Sequence, residues 1–145
     1  MKVFMTKYKD SLPLQLIKAR DVTLDFFRPV LSEYDVTVQQ WRVMRLIHAY
    51  DEIDFTTLSK ESCILSPSLT GIINRLEKQD YVCKIKSEVD QRRVNIRLTN
   101  KAELLVSEMR IEIDKQYVKL KAKFGEDRYN QLSELLEELI DIRDL

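Results

Sequence analysis

Apolar residues in this chain change their period twice between residues 66 and 124. From Ser66 to Gln79 the apolar positions Leu69, Ile72, Ile73 and Leu76 sit at helical gaps. Tyr81, Cys83 and Ile85 then alternate, and so do Val94, Ile96 and Leu98, which predicts two strands. The stretch between them, residues 87–92, is polar except for Val89, so the strands form a hairpin with a charged tip. Thr99 caps a return to helical spacing through Ala102, Leu105, Met109, Ile113, Tyr117, Leu120 and Phe124. A chain that goes helix, hairpin, long helix is mainly α with one small β element, and a helix of about 25 residues spans roughly 37 Å.

The same reading extends to both sides. Ser11 caps a helix that runs to about Tyr34 through Ile17, Leu24, Phe27 and Leu31, with Pro29 expected to kink it or end it early. Thr37 and Gln40 form a capping box, with Val36 and Trp41 placed as a hydrophobic staple. That helix should reach Tyr50, where Asp51-Glu52 breaks it. Asp54 caps a short helix to about Cys63, and Ser66 caps the next, with Pro67 at its first position. The connection Ile64-Leu65 is so short that the two helices read as a helix-turn-helix. Gly125 ends the long helix, and Tyr129, Leu132, Leu136, Leu139 and Ile140 mark a final amphipathic one.

The length of 145 residues fits one domain, or one domain with an extended interface element. No apolar run is long enough to span a bilayer, and the first ten residues hold no apolar core of signal-peptide length, so a cytoplasmic location is expected. Cys63 and Cys83 match no metal spacing and read as two packed thiols; with a single histidine, neither a metal site nor another cofactor is expected. No Ser-His-Asp set or Gly-rich phosphate loop is visible, and a catalytic role is not expected.

Net charge is zero, but it is unevenly placed. Residues 60–98 carry 8 basic and 5 acidic groups, whereas residues 99–145 carry 8 and 11. The middle of the chain is therefore the expected phosphate-facing part. On the Ser66–Gln79 helix the outward side offers Ser66, Pro67, Ser68, Thr70, Gly71, Asn74, Arg75 and Lys78. Small hydroxyl residues at the start of a recognition helix meet base edges or phosphates, and the Thr70 methyl can touch a thymine methyl. Asn74 could pair bidentately with adenine, and Arg75 could reach guanine or phosphate. Gly71 costs about 1 kcal/mol relative to alanine inside a helix. A close approach, to DNA or to the preceding helix, would explain it. At the hairpin tip stand Asp90, Gln91, Arg92 and Arg93. An arginine there can enter a minor groove, and Asp90 can orient the Arg92 guanidinium; an ordinary charged turn is the plainer reading.

The pieces Leu69-Thr70-Gly71-Ile72-Ile73-Asn74-Arg75-Leu76-Glu77, Asp90-Gln91-Arg92-Arg93 and Leu98-Thr99 resemble the MarR family over nearly the whole chain. Ala102 departs from it, since glycine often follows the Leu-Thr pair there. The resemblance implies a winged helix-turn-helix in which residues 36–98 bind double-stranded DNA. Residues 11–35 and 99–145 would be dimerisation helices of one chain, 1–145. It implies a homodimeric repressor on a palindromic operator. A helical protein-interaction module that never touches DNA is the alternative, and the long-helix stripe could instead be buried within one subunit.

A narrower likeness rests on Ala19-Arg20, Phe27-Arg28-Pro29, Gln39-Gln40-Trp41-Arg42 and Ser66-Pro67-Ser68-Leu69-Thr70-Gly71. These are similar to the subgroup that represses homoprotocatechuate (4-hydroxyphenylacetate) degradation operons. Arg20 interrupts the apolar stripe that carries Phe27, and a buried charge needs a partner. That partner is either an acidic side chain across the dimer or the carboxylate of a small aromatic acid. The resemblance implies 4-hydroxyphenylacetate or 3,4-dihydroxyphenylacetate, held by Arg20, Phe27, Trp41 and His48.

Overall fold

The computed structural model describes residues 11–86, 88–90 and 92–144. Its elements are α1 (Leu12–Glu33), α2 (Val38–Tyr50), β1 (Glu52–Asp54), α3 (Phe55–Ser62), α4 (Ser66–Lys78), β2 (Val82–Lys86), β3 (Val94–Leu98), α5 (Asn100–Phe124) and α6 (Glu126–Asp141), with a 3-10 turn at Ile142–Asp144. They fall into two compact units. One holds Val30–Glu112, and the other holds the residues up to Pro29 with those from Ile113 onward.

The Val30–Glu112 unit is built around a dry core. Val43, Met44 and Ile47 of α2, Leu58 of α3, Leu69, Ile73 and Leu76 of α4, and Ile96 of β3 are almost wholly buried. Ala102, Val106 and Met109 complete it from the first half of α5. The helices start and stop where local chemistry dictates. Thr37 accepts from the Gln40 amide while the Gln40 side chain accepts from the Thr37 amide, at 3.0 and 3.1 Å. This is the expected capping box, and Val36 and Trp41 are both buried beside it. Asp35 and Asp80 take left-handed backbone after α1 and α4. The next amides, Val36 and Tyr81, reach back to the Leu31 and Leu76 carbonyls at 2.9 and 2.8 Å. Those bonds satisfy carbonyls that the helix ends would otherwise orphan.

The sheet has three strands in the order β1-β3-β2, all antiparallel. The strand β1 was not foreseen: Asp51-Glu52 ends α2 as expected, but Glu52–Asp54 then pairs with Asn95–Arg97. Its one apolar residue, Ile53, is buried opposite Ile96 and secures the register. The alternation Tyr81, Cys83, Ile85 is also corrected. Val82 pairs with Leu98 and Lys84 with Ile96, so these share the inward face, and Cys83, opposite Arg97, is exposed. A one-residue difference in phase moves every side chain to the other face. Cys63 is likewise exposed, so the expectation of packed thiols fails for both.

Two further expectations change. Pro29 does not end α1 early, because the helix continues to Glu33. Val30 and Leu31, directly beyond it, are buried, and their packing offsets the lost hydrogen bond. The stripe of α5 is also largely consumed within the chain: Ala102, Met109, Ile113 and Leu120 are buried, with Val106 in place of the half-buried Leu105. A different row, Leu104, Ile111 and Val118, stands exposed at heptad spacing.

In the other unit the rings of Phe27 and Tyr117 lie 4.6 Å apart. The Lys121 ammonium sits 5.0 Å over the Tyr129 ring, and burial followed by the neighbouring Tyr117 pushes the Tyr129 phenol above its ordinary value. Gly125, with φ at 105°, ends α5 and caps α6. Leu12, Leu14, Leu16, Ile17 and Val22 of α1 and Leu132, Leu135, Leu139 and Ile140 of α6 are exposed. So many exposed large apolar side chains on two helices mark surface available for interaction.

Candidate nucleic-acid interface

The turn between α3 and α4 is fixed by short polar contacts. Cys63 closes α3 in left-handed backbone, with φ at 56°. The Ser59 hydroxyl donates to the Ile64 carbonyl at 2.7 Å, and the Arg42 guanidinium donates to the carbonyl of buried Ser62 at 3.2 Å. Ser66 does not cap α4. The first helical bond closes from the Leu69 amide onto the Leu65 carbonyl, so Leu65 is the cap and Ser66 and Pro67 are the first two helical residues. No side chain caps this end. The early amides of α4 thus remain available to an anion.

Leu69, Ile72, Ile73 and Leu76 bury one side of α4, leaving Ser66, Pro67, Ser68, Thr70, Asn74, Arg75 and Lys78 exposed, as the spacing predicted. Thr70 donates to the Ser66 carbonyl at 2.9 Å, which leaves its hydroxyl oxygen free to accept. An added methyl at Gly71 would meet no atom within 4 Å. Packing against the preceding helix therefore does not account for this glycine.

The hairpin stands beside α4. Asp90 acts on the backbone of the tip: its carboxylate accepts from the Arg92 amide at 3.0 Å, and its carbonyl accepts from the Arg93 amide at 2.9 Å. The bond expected at the Arg92 guanidinium thus falls on the Arg92 main chain. Arg92 and Arg93 are both exposed, and Gln91 lies outside the described residues. Between α4 and the hairpin opens a cleft of about 730 Å³ whose lining includes Thr70, Asn74, Arg92 and Arg93.

Three further lining residues were not expected at the interface: Asp54, read from the sequence only as a helix cap, with Thr57 and Lys84. Asp54 caps α3, accepting from the Thr57 hydroxyl at 2.6 Å and the Thr57 amide at 3.0 Å. Those bonds, with a smaller contribution from Arg93, hold its carboxyl below the ordinary value against the opposing effect of burial. Lys84 donates to the Asn74 side-chain oxygen at 2.9 Å and lies 3.6 Å from the Glu77 carboxylate. The sequence held no signal for it, because the alternation Tyr81, Cys83 and Ile85 assigns β2 the opposite phase.

The four residues expected to hold a ligand are divided between the units. Outside Val30–Glu112, Arg20 is half exposed with its guanidinium 3.8 Å from Asp21, and Phe27 faces Tyr117. Trp41 and His48 belong to Val30–Glu112, where Trp41 is buried and the His48 ring meets the Glu103 carboxylate at 2.5 Å. Among the described residues, no group of three or more His, Cys, Asp or Glu side chains could hold a metal ion. None of the described helices is long and apolar enough to cross a membrane.

Residues 36–94 match the model of the MarR family. The chain is 41% identical to the HTH-type transcriptional regulator FarR of Neisseria gonorrhoeae, over 92% of each sequence. It is 37% identical to the homoprotocatechuate degradative operon repressor of Escherichia coli, over 90% of this chain and 88% of that one. The crystal structure of NadR in complex with 4-hydroxyphenylacetate superposes with a TM-score of 0.84 at 38% identity, covering 92% of this chain and 98% of that one.

Proposed function

As this chain belongs to the MarR family, we propose that it is a sequence-specific DNA-binding repressor, not an enzyme, acting as a homodimer on a palindromic operator in the cytoplasm. The observation that carries this reading is the surface shared by α4 and the hairpin. Exposed hydroxyls and amides of a helix with an uncapped start stand beside two exposed arginines, around one open cleft. The helix suits a major groove, and the arginines suit the adjoining phosphates or minor groove. Residues 36–98 carry this surface, and the uncovered apolar faces of α1, α5 and α6 support residues 11–35 and 99–145 as the dimer-forming part. Ser66, Pro67, Ser68, Thr70, Gly71, Asn74 and Arg75 meet bases and phosphates; Asp90 shapes the tip that presents Gln91, Arg92 and Arg93.

Release by a small aromatic acid is the second part of the proposal. Its support is the likeness to a repressor of homoprotocatechuate degradation and to a structure holding 4-hydroxyphenylacetate. The Arg20 guanidinium is half exposed, 3.8 Å from the Asp21 carboxylate, and open to a second carboxylate. Phe27, Trp41 and His48 supply aromatic and polar contacts. Such a ligand releases DNA only by preferring the state that cannot bind it. The test is operator binding in a titration with 4-hydroxyphenylacetate and 3,4-dihydroxyphenylacetate. Release by either acid, lost in Arg20→Ala, is expected. Identical responses of wild type and Arg20→Ala contradict the assigned pocket.

A further inference from the structure

Lys84 occupies a position where the sheet has no need of a charge. It pairs with buried Ile96 and lies two residues from buried Val82, in the inward phase of β2, yet its side chain is exposed. Its ammonium reaches over to α4, where it meets both Asn74 and Glu77. An ammonium is donor only, so the Asn74 atom it meets at 2.9 Å is the amide oxygen. The amide nitrogen then lies at the other corner of the same planar group, and Asn74 lines the cleft between α4 and the hairpin.

We propose that Lys84 is a specificity-positioning residue: it holds the Asn74 amide with its NH2 toward the DNA, so that Asn74 reads a base as a hydrogen-bond donor. The inference rests on the DNA-binding reading above and deepens it. A free asparagine can turn its amide over and present either end. It could then accept from adenine N6 or cytosine N4, or donate to adenine N7, guanine O6 or N7, or thymine O4. With a cation against its oxygen, one polarity is held, and the base it favours carries an acceptor. The bidentate adenine pairing foreseen for Asn74 then loses its preference over a contact with guanine or thymine. The Glu77 carboxylate, 3.6 Å from the ammonium, adds a weak second hold on Lys84.

The experiment measures the affinity of full-length wild type, Lys84→Met, Asn74→Ala and Glu77→Gln for an operator selected from random duplexes, and for every single-base change in its half-site. Lys84→Met keeps the length and apolar stem of the side chain, and thermal unfolding of each variant checks that it folds. Wild type is expected to disfavour cytosine, whose major-groove edge offers only a donor, at one half-site position by about fivefold, the worth of one hydrogen bond. Lys84→Met should lose that preference at the same position as Asn74→Ala and keep it everywhere else; Glu77→Gln should lose part of it. A uniform loss of affinity in Lys84→Met, or a base profile identical to that of wild type, overturns the inference. Wild type with no preferred duplex would instead overturn the DNA-binding reading itself.

Discussion

Replacing Gly71 by alanine should strengthen the fold and weaken its grip on DNA. Gly71 lies inside α4, within Ser66–Lys78, where glycine is less favourable than alanine by about 1 kcal/mol. Its φ is not positive, and an added Cβ meets no protein atom within 4 Å, so no strain or clash subtracts from that gain. The unfolding free energy should rise by about 1 kcal/mol, a few degrees in Tm, when both proteins are compared at one concentration. The new methyl group would project beside Thr70 and Asn74, on the side assigned to the groove. If the α4 backbone lies close to DNA there, Gly71→Ala loses operator affinity while gaining stability. Urea unfolding and a binding titration on the same preparations read the two effects separately. Reduced stability would show that the helix interior does not tolerate a methyl group, against the geometry. Unchanged binding would show that DNA does not approach Gly71.

Asp54→Ala should lower stability at neutral pH by about 1 kcal/mol, the worth of an N-cap, while Asp54→Asn keeps most of it. The Asp54 carboxyl is held below its ordinary value of 3.8, so the stability from its charge is present above that pH and is lost as pH falls through the lowered value. Wild type and Asp54→Asn should therefore converge in urea unfolding at low pH; a constant gap contradicts the assignment. Ile73→Ala, which empties a buried site in α4, should cost 2–5 kcal/mol in the same assay, roughly the range for such truncations. Arg92→Ala should weaken binding to all operator variants alike and reduce the salt slope of log affinity by about 1; a base-selective loss would make Arg92 a reader and not a phosphate contact.

Helices were legible because their signals are local. The Thr37–Gln40 capping box, the Asp54 cap and the apolar rows of α2 and α4 are each contained within a few residues. What escaped depends on partners remote in sequence. The three residues of β1 become a strand only through Asn95–Arg97, and the inward phase of β2 is set by pairing of Val82 with Leu98. Tyr81, Cys83 and Ile85 alternate as well as any strand, yet the register turns Cys83 outward. Pro29 illustrates the same limit, since burial of Val30 and Leu31 overrides a local helix breaker. On the candidate interface, the exposed polar side of α4 followed directly from helical spacing. Lys84 did not, because its meaning lies in the 2.9 Å bond to a residue on another element. The uncovered row Leu104, Ile111 and Val118 was hidden by the more regular stripe beside it.

Sedimentation of the chain with a duplex carrying its selected inverted repeat tests the whole account at once. Two chains should travel with each duplex, spanning half-sites about one helical turn apart, and the complex should dissociate steeply as salt rises. A single chain that sediments alone, beside a duplex it does not distinguish from unrelated DNA, would contradict it.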